Sequence, residues 1–219
     1  MTVYIEKPAV NLREELASLR NQGGYEEQQF YFDGLVTNGT FDTDISGWTA
    51  ARSATLTWVS GAMQISYGGT DYPQAQQTLT TVAGQRYKLQ VTQTAGVPLS
   101  AVVGTASGGN QLGSVVGTGS LTLDFVASST TSYLTLQANS VGAISVTVDN
   151  ISVFETDGTD VVHRMPKGWV PKDVFEDGLL QREGAANDYT VVYDGFDYYV
   201  KPAVAPSATT QTCVIGVRK

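Results

Sequence analysis

Trp58, Tyr67 and Tyr72 are the residues of this 219-residue chain whose type and spacing most readily suggest chemistry. Gln64, Gln74 and Gln76 lie among or beside them. Tyr67 and Tyr72 flank Gly68-Gly69-Thr70-Asp71, a loop-like run of the kind that carries binding residues. A flat apolar ring gives a saccharide a face to stack on, and neighbouring amides can pair with its hydroxyls. Trp58, Tyr67, Tyr72 and Gln74 are therefore the candidate glycan-binding residues. The competing reading is that such rings fill an interior. Tyr87 falls on the apolar phase of its run and is assigned there.

Catalysis is poorly provided for. His163 is the sole histidine and stands beside Arg164. A nucleophilic triad needs a base within hydrogen-bond reach of its nucleophile and a third group to orient it. No G-x-S-x-G run accompanies His163. Glycoside hydrolysis needs a spaced carboxylate pair. From residue 35 to residue 154 the acids are Asp42, Asp44, Asp71, Asp124 and Asp149, and the first two share one turn. No P-loop or dinucleotide fingerprint is present. The glycine-rich run VVGTASGGNQLGSVVGTGS is followed by no helix start, so it reads as a pair of edge strands with flexible turns. The expectation is a protein that is not an enzyme.

Charge and cysteine usage narrow the partners. The net charge is −8, without the basic stripe that nucleic-acid binding requires. Cys213 is the sole cysteine, which excludes an intrachain disulfide and a Cys/His zinc set. No apolar run approaches the roughly 18 residues of a membrane span, and the first residues lack a secretory pattern. Synthesis in a cytoplasm, with neither nucleic acid nor membrane as partner, is expected.

Three textures divide the chain. Residues 1–25 predict a short helix, with Asn11 as cap, Glu14 closing a capping box, and Gly23-Gly24 ending it. Leu12, Leu16 and Leu19 form one narrow stripe on it. A helix this short is marginal alone. Its leucines need a surface, either on the same chain or on copies of it, so the stripe is assigned to anchoring or oligomerisation. Residues 35–156 carry ATLTWV, AMQISY, RYKLQVTQT, SLTLDFVA, SYLTLQA and ISVTVDNISVF. Each alternates with period two between Gly, Ser and Asn punctuation, which predicts a β-sandwich or jelly roll. Residues 157–219 predict a small antiparallel β unit. Hairpins are expected at Asp177-Gly178 and Asp194-Gly195, and TCVIGVR is the expected last strand.

The central stretch resembles the carbohydrate-binding modules of the galactose-binding-like jelly-roll superfamily. LVTNGTFDTDISGWT is similar to their opening strand and turn, TLTTVAGQRYKLQVTQT to a middle element, and VTVDNISVFE to their last strand. The resemblance implies a core role for Trp48. It also implies a structural calcium between the opening turn and the last strand, at positions matching Asp42 and Asp149. The ordinary alternative is that both aspartates bond to turn N–H groups.

The flanks resemble a small β domain of tailed-bacteriophage structural proteins. QQFYFDG, residues 28–34, is similar to its opening strand, and DVFEDGLLQREGAANDYTV to its later ones. That resemblance implies one small domain split between 26–34 and 157–219, with the jelly roll inserted at 35–156. Three consecutive units are the simpler arrangement. The resulting expectation is an all-β virion structural protein: a capsid decoration, head fibre or tail appendage. It would be held to capsid, neck or tail proteins, often as a trimer or other homo-oligomer, with the jelly roll adhering weakly to host or environmental glycans. A free carbohydrate-binding module and a purely structural capsid-stabilising protein are the alternatives.

Overall fold

The computed structural model describes residues 26–32, 34–67, 69–208 and 210–218. The helix expected around Leu12, Leu16 and Leu19 lies outside them. Every regular element among the described residues is a β-strand, and no helix there is long and apolar enough to cross a membrane. In chain order the strands are β1 (Glu26–Phe32), β2 (Thr49–Ala51), β3 (Thr55–Trp58), β4 (Met63–Tyr67), β5 (Gln74–Thr80) and β6 (Arg86–Gly96). Then follow β7 (Leu99–Gly104), β8 (Gly113–Gly117), β9 (Gly119–Val126), β10 (Thr131–Ala138) and β11 (Ile144–Glu155). The last are β12 (His163–Arg164), β13 (Trp169–Glu176), β14 (Leu179–Leu180), β15 (Tyr189–Tyr193), β16 (Tyr198–Pro202) and β17 (Thr212–Arg218).

Strands β2 to β11 build a jelly-roll β-sandwich of two antiparallel sheets, in the orders β2-β5-β10-β7-β8 and β3-β4-β11-β6-β9. Period-two alternation decides which side chains meet between them. On β6, Tyr87, Leu89 and Val91 point inward while Arg86, Lys88, Gln90 and Thr92 take the other face. Directly opposite on β9, Leu121, Leu123 and Phe125 point the same way, and the Tyr87 and Phe125 rings stack 5.6 Å apart. Phe41, Met63, Ile65, Leu79, Leu99, Leu134 and Leu136 complete a dry interior, and Trp48 and Tyr87 lie in it as expected. The glycine-rich run forms the β7–β8 hairpin. Its β8 is a sheet edge, but β7 lies between β10 and β8 and is not.

Two smaller sheets carry the rest, in the orders β1-β17-β13-β14 and β12-β16-β15. β1 pairs with β17 along its whole length, from Glu26↔Arg218 to Phe32↔Thr212. Met165, Trp169, Val174, Tyr189, Val200 and Val214 form a second core, with Phe30 edge-on to Trp169 at 5.0 Å. Pro171 sits at a register shift in β13, a place where its missing N–H is tolerated. β13 and β14 turn at Asp177-Gly178, both with positive φ, as a tight hairpin of that sequence requires.

Candidate functional site

In the β2-β5-β10-β7-β8 sheet, the outer face of β5 and β10 is polar and uncharged. β5 sends Ala75 and Leu79 inward, which leaves Gln74, Gln76, Thr78 and Thr80 outward. β10 sends Leu134 and Leu136 inward, which leaves Thr131, Tyr133, Thr135 and Gln137 outward. The register sets Gln74 against Gln137, Gln76 against Thr135, and Thr78 against Tyr133. On the far side of β10, Thr135 opposes Val102 and Tyr133 opposes Gly104 of β7. Amides, hydroxyls and one aromatic ring thus form ordered rows.

A recess of about 410 Å³ opens on this face, lined by Thr37, Gly47, Thr49, Gln76, Gln77, Thr78, Ser107 and Tyr133. Its described lining holds no Asp, Glu, Lys, Arg or His. Gln77 fixes one wall from below. Its Oε1 accepts from the Thr37 N–H at 2.8 Å, and its Nε2 donates to the carbonyls of Thr37 and Gly47 at 2.9 and 3.2 Å. The other wall is the connection from β7 to β8, which folds back over the sheet. Its Gly108 N–H donates to Thr135 Oγ1 at 3.2 Å, and its Ser107 hydroxyl donates to Gln76 Oε1. Gly104 must be glycine for this, because a Cβ there would overlap the Gly109 carbonyl.

The structure does not bring the four expected glycan-binding residues together. Gln74 lies on the right face but is 2% exposed, covered by Gly108. Its amide donates to Gln137 Oε1 at 2.7 Å and accepts from Gln76 Nε2 at 2.9 Å, so it supports the wall instead of facing a ligand. Tyr72 is exposed two residues before β5, at the Gln74 end of that strand and away from Thr78. Trp58 and Tyr67 belong to the opposite sheet. Trp58 pairs with Met63 across β3 and β4, stays 42% exposed, and donates its Nε1 to the Phe41 carbonyl at 2.6 Å. The residues missed were Thr78, Tyr133 and Ser107. The signal for Thr78 and Tyr133 was present as the alternating polar positions of QAQQTLT and SYLTLQA, while Ser107 lies in neither run. Pairing of those two runs, more than fifty residues apart, was needed to read them as one face.

Asp42 and Asp149 flank the place where the opening turn meets β11. The Gly39 carbonyl accepts from the Ile151 N–H at 2.8 Å, within the register shift of β11 between Asp149 and Ser152. Asp42 accepts from the Thr40 hydroxyl at 3.0 Å. Asp149 accepts from the N–H and side-chain amide of Asn150 at 2.7 and 3.1 Å. Calcium takes six to eight oxygens. Among the described residues no group of three or more His, Cys, Asp or Glu side chains is placed to hold a metal. The Phe41 and Gly39 carbonyls are already engaged by Trp58 and Ile151. Both carboxylates act as hydrogen-bond acceptors where the opening turn meets β11.

His163 is buried where the jelly roll meets the smaller sheets. Its ring lies 5.1 Å from Phe32 of β1 and 6.3 Å from Phe154 of β11. Burial among these rings lowers its pKa to about 4, so the imidazole is neutral near pH 7. Beside it, Arg164 pairs with Glu155 at 3.1 Å and bonds Gln85. Burial raises the Glu155 carboxyl, against the pull of Arg164. These groups join two packed units.

No family model matches the chain, and no curated protein matches it. Solved structures do. A carbohydrate-binding module described as CBM4 aligns at a TM-score of 0.42 and 16% identity, over 55% of this chain and 99% of that one. TmCBM61, in complex with β-1,4-galactotriose, aligns at 0.42 and 16% over 56% of this chain and 99% of that one. The enzymatically active domain of bacteriophage CBA120 tailspike protein 4 aligns at 0.42 and 14% over 56% of this chain and 21% of that one. The likeness is one of fold.

Proposed function

We propose that this protein binds an uncharged glycan in the recess over Thr78 and Tyr133, without catalysis. The observation that carries this reading is the lining itself: hydroxyls, amides and one aromatic ring on a rigid sheet, with no ionisable group but the tyrosine phenol. Ligand pockets combine an apolar surface with a few placed polar groups. Tyr133 supplies the first, and Thr49, Gln76, Thr78 and Ser107 supply the second. Hydrolysis would need two carboxylates across the bound sugar, and the described lining contains none. The test is an array of uncharged glycans probed with the full chain and with Tyr133→Ala. Binding by the parent chain and its loss in the variant, at an unchanged melting temperature, is the expected result. Equal binding by both would move the site elsewhere.

A second reading concerns the setting in which such binding is used. The pairing of β1 with β17 supports a small β unit split by the inserted jelly roll. The resemblance of those flanks to phage structural domains supports display on a virion, attached to capsid, neck or tail proteins. On a particle, many copies would turn weak adhesion into avidity. The native mass of the chain with and without residues 1–25 tests the anchoring role of Leu12, Leu16 and Leu19. An oligomer that becomes a monomer on truncation supports it. A monomer in both cases leaves the alternative of a free binding module.

A further inference from the structure

We propose that the recess takes the end of an uncharged glycan chain, one or two sugar units, and excludes chain interiors. This rests on the reading of the recess as a glycan site and adds the form of the ligand.

A sheet face that accepts the middle of a polysaccharide must be open at both ends of the bound chain. Here the path across the strands is closed twice. On the β2 side the opening segment stands as a wall, held by two hydrogen bonds that the Gln77 amide donates and one that it accepts. The Asn38 amide braces that segment further, donating to Asp44 Oδ1 at 2.8 Å and to the Ser46 carbonyl at 3.2 Å. On the β7 side the loop between β7 and β8 lies on the sheet. It is tied down by Gly108 to Thr135 and by Ser107 to Gln76, and cross-braced by the Thr105 N–H to Gln111 Oε1 at 3.2 Å.

The row behind the recess is closed as well. Gln76, Gln74 and Gln137 bond amide to amide, and Gly108 rests above the first two. What remains open is the floor past Thr78 and Tyr133 toward Thr80, which is exposed, and Thr131. Across the strands the recess is bordered by these two segments, and it is open to solvent above them. The volume of about 410 Å³ is near the lower end of the roughly 300–1,000 Å³ typical of small-molecule sites.

Because the β7–β8 loop is hydrogen-bonded down and Gly104 admits its close approach, the loop decides ligand length. The test uses the best uncharged glycan from the array, prepared as its disaccharide, its hexasaccharide and its polymer, titrated into the full chain by calorimetry. Disaccharide and hexasaccharide with the same terminus should bind within about threefold of each other. Polymer binding should follow the number of chain ends and fall when the ends are capped. A hexasaccharide more than about tenfold tighter than the disaccharide, or a polymer indifferent to capping, overturns the inference while leaving glycan binding intact. No binding to any uncharged glycan overturns the underlying reading, and this inference with it. A variant with residues 106–111 replaced by Asn-Gly, which suits a tight hairpin, should gain affinity for the hexasaccharide over the disaccharide. If that variant does not fold, Ser107→Ala together with Thr135→Val frees the same loop in the intact chain, and an unchanged length preference there counts against the proposal.

Discussion

At the scale of single residues, contact geometry sets the strongest expectations. Gly39 approaches β11 so closely that a Cβ would overlap the Ile151 carbonyl. Gly39→Ala should therefore cost about 2 kcal/mol or more, read as a lower urea midpoint with an unchanged slope. His163 makes stability depend on pH. Its folded pKa is about 4, below the roughly 6.5 of the unfolded chain. The unfolded state thus takes up a proton first as pH falls. The stability from keeping the imidazole neutral is complete above about pH 6.5 and is lost as pH drops toward 4, a change on the order of 3 kcal/mol. His163→Leu should flatten urea midpoints across that window, and an unchanged slope would exclude His163 as the titrating group. For Asp42 and Asp149 the turn bonds predict that a calcium chelator leaves the melting temperature where it was. A drop of several degrees would mean that the ion is bound after all.

At the scale of elements, β5 and β10 form the platform and two loops shape it. Gln77 links β5 to the opening segment: its side chain is buried, yet it holds the Thr37 and Gly47 backbone at the rim. Gln77→Leu leaves backbone groups without partners and should cost about 1–3 kcal/mol. It should also weaken glycan binding, although the substitution is below the surface. Unchanged calorimetric affinity would show that the rim is not part of the site. Much of this level was legible in the chain. SYLTLQA and TCVIGVR correspond to β10 and β17, and Asp177-Gly178 turns as its sequence suggests. The rows of the platform were not, because alternation says which residues share a face of one strand and not which strand lies beside it.

At the scale of the whole molecule, two cores meet at a polar seam. Phe41 to Val153 supply one core, Met165 to Val214 the other, and Phe32, His163 and Phe154 pack between them. Arg164 with Glu155, and Lys201 with Asp157 and Asp160 at 3.2 and 2.6 Å, fasten the seam. The Leu35 N–H donates to the Val153 carbonyl at 2.8 Å, so the two ends of the jelly roll are adjacent. Replacing residues 35–155 with a short Gly-Ser linker should leave the β1–β17 unit able to fold, read by a cooperative melt and retained fluorescence change at Trp169. A remainder with no transition would refute a split but independent unit.

The sequence by itself determined the all-β class, because period-two alternation between turn residues is a local property that each strand carries alone. It determined the core role of Tyr87 for the same reason, whereas that of Trp48, in a turn ahead of β2, was read from the resemblance of the opening segment. Tertiary structure decided the site. Trp58 and Tyr67 went to one sheet and Tyr133 and Thr78 to the other face of its partner, through strand pairings set by the packing of both sheets on a common interior. Only that packing laid the β7–β8 loop over Gln74, burying a side chain that looked free and leaving the recess beside it.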